Sequence, residues 1–322
     1  MKFRTEIAIR PFSRQIGYHS RIFAVGSCFA ANIASRLEGA GFSVTANPAG
    51  IMFNPESVAD AIERCCERRM VGAGELQCDG GRWFHYGFHG SFAGSDPEEV
   101  AARINGATQE GHRALATADT VILTFGTAHV FRLADGGATV ANCHKQPAAM
   151  FRRERLTVGS IVERYAGLFG TALRGKHVIV TVSPVRHLAD GLDGNALSKS
   201  VLRVAAGELA ERYGADYFPS YEILCDDLRD YRFYDADMVH PSSQAVDYVW
   251  EKFCAAAVSA ADRELIPRAE AIARAAAHRP LHPDDGAYAD FCRRQIEAID
   301  SLTGPDLSRA REIFSAGLQI NS

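Results

Sequence analysis

The sequence predicts an open α/β sandwich, with helices on both faces of a mainly parallel sheet and further helices at the C-terminal end. Three observations predict it. Short runs of consecutive apolar, β-branched residues recur along the chain, each ending at a glycine or a Ser-Pro turn. Such unbroken runs suit parallel strands covered on both faces. Helical patterning separates the runs, which is the alternation of an α/β fold. From Ser242 onward only helical patterning remains.

The elements follow in order. Residues 21–26 read as a buried strand closing on Gly26, and residues 30–39 as a helix stopped by Gly39 and Gly41. This strand–turn–helix unit is the first half of a βαβ crossover. Residues 70–95 are rich in glycine, polar and aromatic residues and read as a loop and hairpin inserted at the sheet's edge. An insertion of that kind is either a surface excursion or a substrate lid. Residues 97–116 read as a helix despite Gly106 and Gly111, and 120–125 as a second buried strand. Arg152-Arg153-Glu154-Arg155 reads as a solvated helix face or loop, because acidic and basic charges interleave there. Residues 156–173 and 196–213 are helical, 177–182 is the third buried strand, and 216–218 is a short further one. Helices over 243–261, 267–278 and 287–302 complete the chain, with breaks at Pro280 and at Asp284-Asp285-Gly286. The expected division is an α/β domain over 1–262 and a helical extension over 263–322 packed on it.

The net charge of −4 gives no global attraction to nucleic acid or to anionic membrane, so neither is expected as a partner. The N-terminal stretch carries no apolar core of a signal peptide, and no run of about 18 apolar residues is present. The eight cysteines form no C-x-x-C pair, and several lie in apolar stretches, which suits a reducing, cytoplasmic setting. No metal or cofactor is expected. The histidines, His282 among them, are scattered, and although His85 and His89 are four apart, Gly87 and Gly90 argue against a shared helix face.

Ligands of open α/β sheets bind beyond the carboxyl ends of the strands. Ser27 sits there, at the start of a helix whose unpaired N–H groups can hold an oxyanion. Spacing alone leaves it either a nucleophile or an ordinary N-cap. Asp237-Met238-Val239-His240-Pro241 is the second element. An Asp three residues before a His can fix the His tautomer through Nδ1 and leave Nε2 to accept a proton. Alone, the pattern reads rather as a surface turn ahead of a Ser242 helix cap. Asp235 is a poorer partner, at five residues from His240. Cys28 is the alternative nucleophile at the helix N-terminus. It ranks below Ser27, since adjacent helical residues point about 100° apart, and it is expected to pack inward.

Taken together, these residues resemble a known family. Gly26-Ser27-Cys28-Phe29-Ala30 is similar to the signature of the GSCFA family. The similarity continues at Asn47-Pro48-Ala49-Gly50-Ile51-Met52-Phe53-Asn54-Pro55 and at Thr124-Phe125-Gly126-Thr127-Ala128-His129-Val130-Phe131. Further blocks are Ala141-Asn142-Cys143-His144-Lys145-Gln146-Pro147, Ser183-Pro184-Val185-Arg186-His187, Asn195 with Ser198-Lys199, and Asp237 with His240-Pro241. That family resembles a branch of the SGNH (GDSL-like) hydrolases, which implies a flavodoxin-like sheet. It also implies Ser27 as nucleophile, His240 as base and Asp237 as its orienting carboxylate. SGNH enzymes use a Gly and an Asn as oxyanion donors beside the serine N–H. Gly50 matches the glycine, whereas Gly126-Thr127-Ala128 carries no Asn at the G-x-N position. The resemblance therefore leaves Ser27, Gly50 and either Thr127 or Asn142 to form the oxyanion hole. His144, Lys145, Arg186 and His187 are candidates to line a cleft and bind an acyl acceptor or an anionic group, with His144, Arg186 and His187 taken as the substrate-binding residues.

The expected function is a serine-dependent ester hydrolase or acyltransferase acting on small acyl esters, including O-acyl groups of carbohydrate. The other class is a non-catalytic glycan- or metabolite-binding protein on a degenerate hydrolase scaffold.

Overall fold

A computed structural model describes residues 4–278 and 286–319. Five parallel strands form the central sheet: β1 (Arg21–Gly26), β2 (Ser43–Ala46), β3 (Thr120–Phe125), β4 (His177–Val182) and β5 (Asp216–Phe218). Their spatial order is β2-β1-β3-β4-β5, the flavodoxin-like order. The expected three-layer α/β architecture is therefore present. The three predicted buried strands lie where expected, with β3 and β4 buried along their whole length.

Alternation within each strand feeds two separate cores. Phe23 and Val25 of β1 face one side, packing with α2 (Pro55–Glu67), α3 (Pro97–Thr117), α4 (Val158–Gly170) and α5 (Gly191–Tyr213). Ile22 and Ala24 face the other side, against α1 (Cys28–Gly39) and α6 (Ser243–Ala257). Each fully buried aliphatic or aromatic side chain of this kind stabilises the fold by roughly 1.5–3 kcal/mol. The helix starts are chemically marked. Asn54 caps α2 ahead of Pro55, Asp96 caps α3 ahead of Pro97, and Ser242 caps α6. The segment before β1 lies along the end of α6. Phe12 N–H donates to Ala256 O at 2.8 Å, Ile16 N–H to Ala257 O at 2.7 Å, and Ser259 N–H to Ile16 O at 2.9 Å.

Several local readings change. Residues 152–155 belong to a strand, Phe151–Arg155, paired antiparallel with His129–Leu133. The interleaved charges mark an exposed edge strand there rather than a helix face. Residues 70–95 do hold a hairpin, Gln77–Asp79 with Arg82–Phe84, but it is a separate two-stranded sheet apart from the central one. Helix α2 was not anticipated. The predicted helix over 196–213 begins earlier, at Gly191, and the first helix begins at Cys28.

After a single helical turn at Ala260–Arg263, three longer helices follow among the described residues: α7 (Ile266–Ala277), α8 (Gly286–Asp300) and α9 (Ser308–Gln319). They share a small core that includes Ile272, Cys292, Ile299, Leu307 and Phe314. Asp306 N–H to Gly41 O at 2.8 Å and Trp250 Nε1–H to Glu270 Oε1 at 3.0 Å tie them to the sheet domain. The break expected at Pro280, Asp284 and Asp285, and His282 with it, lies outside the described residues. Among the described residues no helix is long and apolar enough to cross a membrane.

Candidate active site

The strand order reverses at β1 and β3, so the crevice beyond their carboxyl ends is the natural ligand site. Gly26 sits there with φ of +142°. A Cβ at that position would meet Thr124 O at 2.1 Å, so only glycine lets β1 turn this close to β3. Asn47 Oδ1 accepts the Gly26 N–H at 2.8 Å, and Met52 N–H donates to Gly26 O at 2.9 Å. The turn is thus held from both sides.

Ser27 is the N-cap of α1. Its Oγ turns back onto its own helix and accepts the Phe29 N–H at 3.3 Å, and the residue is buried. Cys28 follows as the first helical residue and is only partly buried. Its Sγ lies 3.9 Å from His240 Nε2. The residue that His240 meets is therefore Cys28, and Cys28 does not pack inward as expected. The one-residue step changes the direction of the side chain by about 100°, which takes residue 28 outward and leaves residue 27 in the cap.

The Asp237-x-x-His240 turn has the expected internal geometry. Asp237 Oδ1 accepts the N–H groups of Val239 and His240 at 2.8 and 2.9 Å, and Oδ2 accepts from His240 Nδ1 at 2.6 Å. These donors hold the Asp237 carboxyl down to about 2, chiefly the imidazole. The ionised carboxylate selects the Nδ1–H tautomer, which leaves Nε2 as the acceptor facing sulfur. Asp235 does not compete, because its carboxylate accepts the Ala236 N–H. Arg186 supports the turn. Its N–H donates to Val239 O at 3.2 Å, and its guanidinium donates to Met238 O at 3.3 Å while lying 3.8 Å from the centroid of Tyr234.

Lys199 forms the floor. It is fully buried, and its Nζ donates to Gly126 O at 2.6 Å and Ser183 O at 2.7 Å, joining the ends of β3 and β4. Burial pushes its pKa down to about 7. His187 stands beside it. Burial, with Lys199 nearby, pushes its ring down to about 4, so the ring is neutral. Its buried Nε2 has no hydrogen-bond partner. A Cβ built on Gly126 would lie 3.4 Å from that nitrogen and 3.4 Å from Ser27 Cβ, so the glycine leaves a small space between them.

The proposed oxyanion donors are placed differently from one another. The N–H groups of Ser27, Gly50 and Thr127 donate to Thr124 O at 3.3 Å, Asn47 O at 2.8 Å and Phe53 O at 2.9 Å. The Thr127 hydroxyl meets Ser198 Oγ at 3.1 Å. Asn142 and His144 pack against the inserted 70–95 segment. Asn142 N–H donates to Tyr86 O at 3.2 Å and its Oδ1 accepts the His144 N–H at 2.8 Å. His144 Nε2–H is shared between His85 O and Phe88 O, both at 3.1 Å, and its ring stacks on Phe84 at 4.3 Å. Gly50 links the two regions, since a Cβ there would meet His89 Cβ at 2.2 Å. Sequence reasoning missed Asn47, whose Nδ2 is buried beside the turn without a partner. It also missed Asp190, which pairs with His129 at 3.1 Å and with Arg153. The Asn-Pro step at 47–48 and the Asp at a helix entry were the available signals. Among the described residues no three His, Cys, Asp or Glu side chains converge as metal ligands.

Comparison with known proteins gives a consistent family. The model of the GSCFA family matches residues 21–253, which spans all five strands of the central sheet and both halves of the site. The model described as the C-terminal domain of GSCFA domain proteins matches residues 269–320. No curated protein matches the chain. The chain belongs to the GSCFA family.

Proposed function

We propose that the protein is an acyl-transfer enzyme of the SGNH type, an ester hydrolase or acyltransferase that works through an acyl-enzyme. One observation carries this reading: His240 is bonded through Nδ1 to Asp237 at 2.6 Å, with Nε2 directed at the N-terminus of α1. A base so oriented accepts a proton from a nucleophile in the Ser27–Cys28 turn and returns it to the leaving group. The flavodoxin-like strand order and the position of that turn after β1 support the SGNH relationship. Asn47 Nδ2 and, as its N–H tautomer, His187 Nε2 are buried nitrogens without partners beside the turn, and are suited to a developing oxyanion. Water as acceptor gives a hydrolase, and a sugar hydroxyl gives an acyltransferase. Small acyl esters, including O-acyl carbohydrate, are the proposed substrates. Eight free cysteines among the described residues fit a reducing, cytoplasmic setting.

Turnover of a panel of short acyl esters, followed by intact mass, tests the reading. His240→Gln should lower the rate of acylation by about 10²–10⁴. An unchanged rate in that variant, or no acyl-enzyme with any donor, refutes it. A second reading, a binding protein on a hydrolase scaffold, draws on the internal bonding of the Ser27, Gly50 and Thr127 N–H groups. Sugar binding without any acylation would favour it.

A further inference from the structure

We propose that the nucleophile is the Cys28 thiol rather than the Ser27 hydroxyl. The inference rests on the acyl-transfer reading above and names the atom that carries it. Four observations converge. Cys28 Sγ is the nucleophilic atom in contact with His240 Nε2, at 3.9 Å. Behind that ring, Asp237 fixes the tautomer from 2.6 Å. Ser27 Oγ is engaged as the helix cap, and Ser27 is only 1% exposed, so an acyl carbonyl has no open approach to it. Cys28 is partly exposed at the first position of α1, with its own N–H and that of Phe29 close by in the chain.

The electrostatics set the order of events. Burial raises the Cys28 thiol more than those two N–H groups lower it, so the resting group is a protonated thiol. No thiolate–imidazolium pair stands ready, and His240 acts as a general base during attack. Sulfur adds to the acyl carbonyl as its proton passes to Nε2. The carbonyl re-forms, the bond to the leaving alkoxide breaks, and His240-H⁺ protonates that alkoxide. The product is an S-acyl enzyme. In the second half, Nε2 takes a proton from water or an acceptor hydroxyl, the new C–O bond forms, the C–S bond breaks, and the proton returns to sulfur. Substrates are then acyl donors able to acylate a thiol, with a thioester as the obligatory intermediate.

Two measurements on the full chain test this. The first maps the adduct after incubation with short acyl esters and acyl thioesters, acid quench, digestion and fragmentation. The acyl mass should lie on Cys28, be released by neutral hydroxylamine, and be absent from Cys28→Ser in that thioester form. An adduct on Ser27 that resists hydroxylamine overturns the inference and leaves the acyl-transfer reading standing. No adduct with any donor overturns both. The second measurement needs no substrate. Iodoacetamide should alkylate Cys28 about tenfold faster in the wild type than in His240→Gln, with Cys143 as the internal reference. Equal Cys28 rates in the two proteins overturn the inference, and circular dichroism of each variant confirms that it is folded.

Discussion

Two histidine-bearing regions use the same side chain for opposite ends. In the 235–241 turn, His240 is half exposed, gives one nitrogen to Asp237 and keeps the other directed at Cys28. Against the inserted segment, His144 has its Nε2–H shared by the His85 and Phe88 carbonyls and its face stacked on Phe84. His85 lies beside it, with Nδ1 accepting the Gly87 N–H at 2.9 Å. The difference teaches how to separate a reactive histidine from a structural one. What counts is whether a nitrogen is left over, and whether a nucleophile faces it.

Asp237→Asn gives the largest expected effect. The amide keeps an oxygen for the Val239 and His240 N–H groups but presents an NH₂ to Nδ1, which forces the wrong tautomer. Acylation should fall by about 10²–10⁴ while the unfolding temperature changes by less than about 2 °C, because exposed pairs add little stability. A matching loss of stability would break the contrast. His144→Ala comes next, with the opposite signature. Two carbonyls lose their donor and Phe84 its partner, so thermal unfolding should show a loss of roughly 2 kcal/mol. If His144→Ala lowers acylation as much as Asp237→Asn does, the insert belongs to the chemistry after all.

The last effect is a pH dependence, and it vanishes at neutral pH. Burial holds His85 down to about 4, against an ordinary value of about 6.5. The unfolded chain therefore binds the proton more readily. Stability from this group is complete above about 6.5 and is lost as pH falls toward 4, on the order of 2 kcal/mol. Calorimetry at neutral pH and near pH 4.5 should show a smaller acid loss in His85→Asn than in the wild type. An identical loss would remove His85 from the account.

The sheet was legible because three of its strands are unbroken apolar runs, and nothing but burial on both faces explains such runs. Helix α2 was not, since Pro55 and the charges at Glu56, Asp60 and Glu63 mask its apolar stripe of Val58, Ile62 and Cys65. The strand Phe151–Arg155 was misread because an edge strand can carry charge at every exposed position. In the candidate site, the Asp237–His240 hydrogen bond was one of two readings of the spacing, and the family resemblance chose it. The direction of residues 27 and 28 was not legible, since it depends on which of the two becomes the cap. Lys199 entered only through the family resemblance, because a lysine inside a helix normally signals solvent and this one is buried under two carbonyls.

The segment before β1 has a kinetic consequence. Phe12 and Ile16 close the α1–α6 core by pairing with Ala256, Ala257 and Ser259, about 240 residues away along the chain. That half of the molecule cannot finish until both ends of the sheet domain have met. During synthesis the α2–α5 side can assemble early, while Phe12, Ile16 and the inner face of α1 wait uncovered. That waiting interval is when a chaperone would bind this chain, and when crowded chains would aggregate.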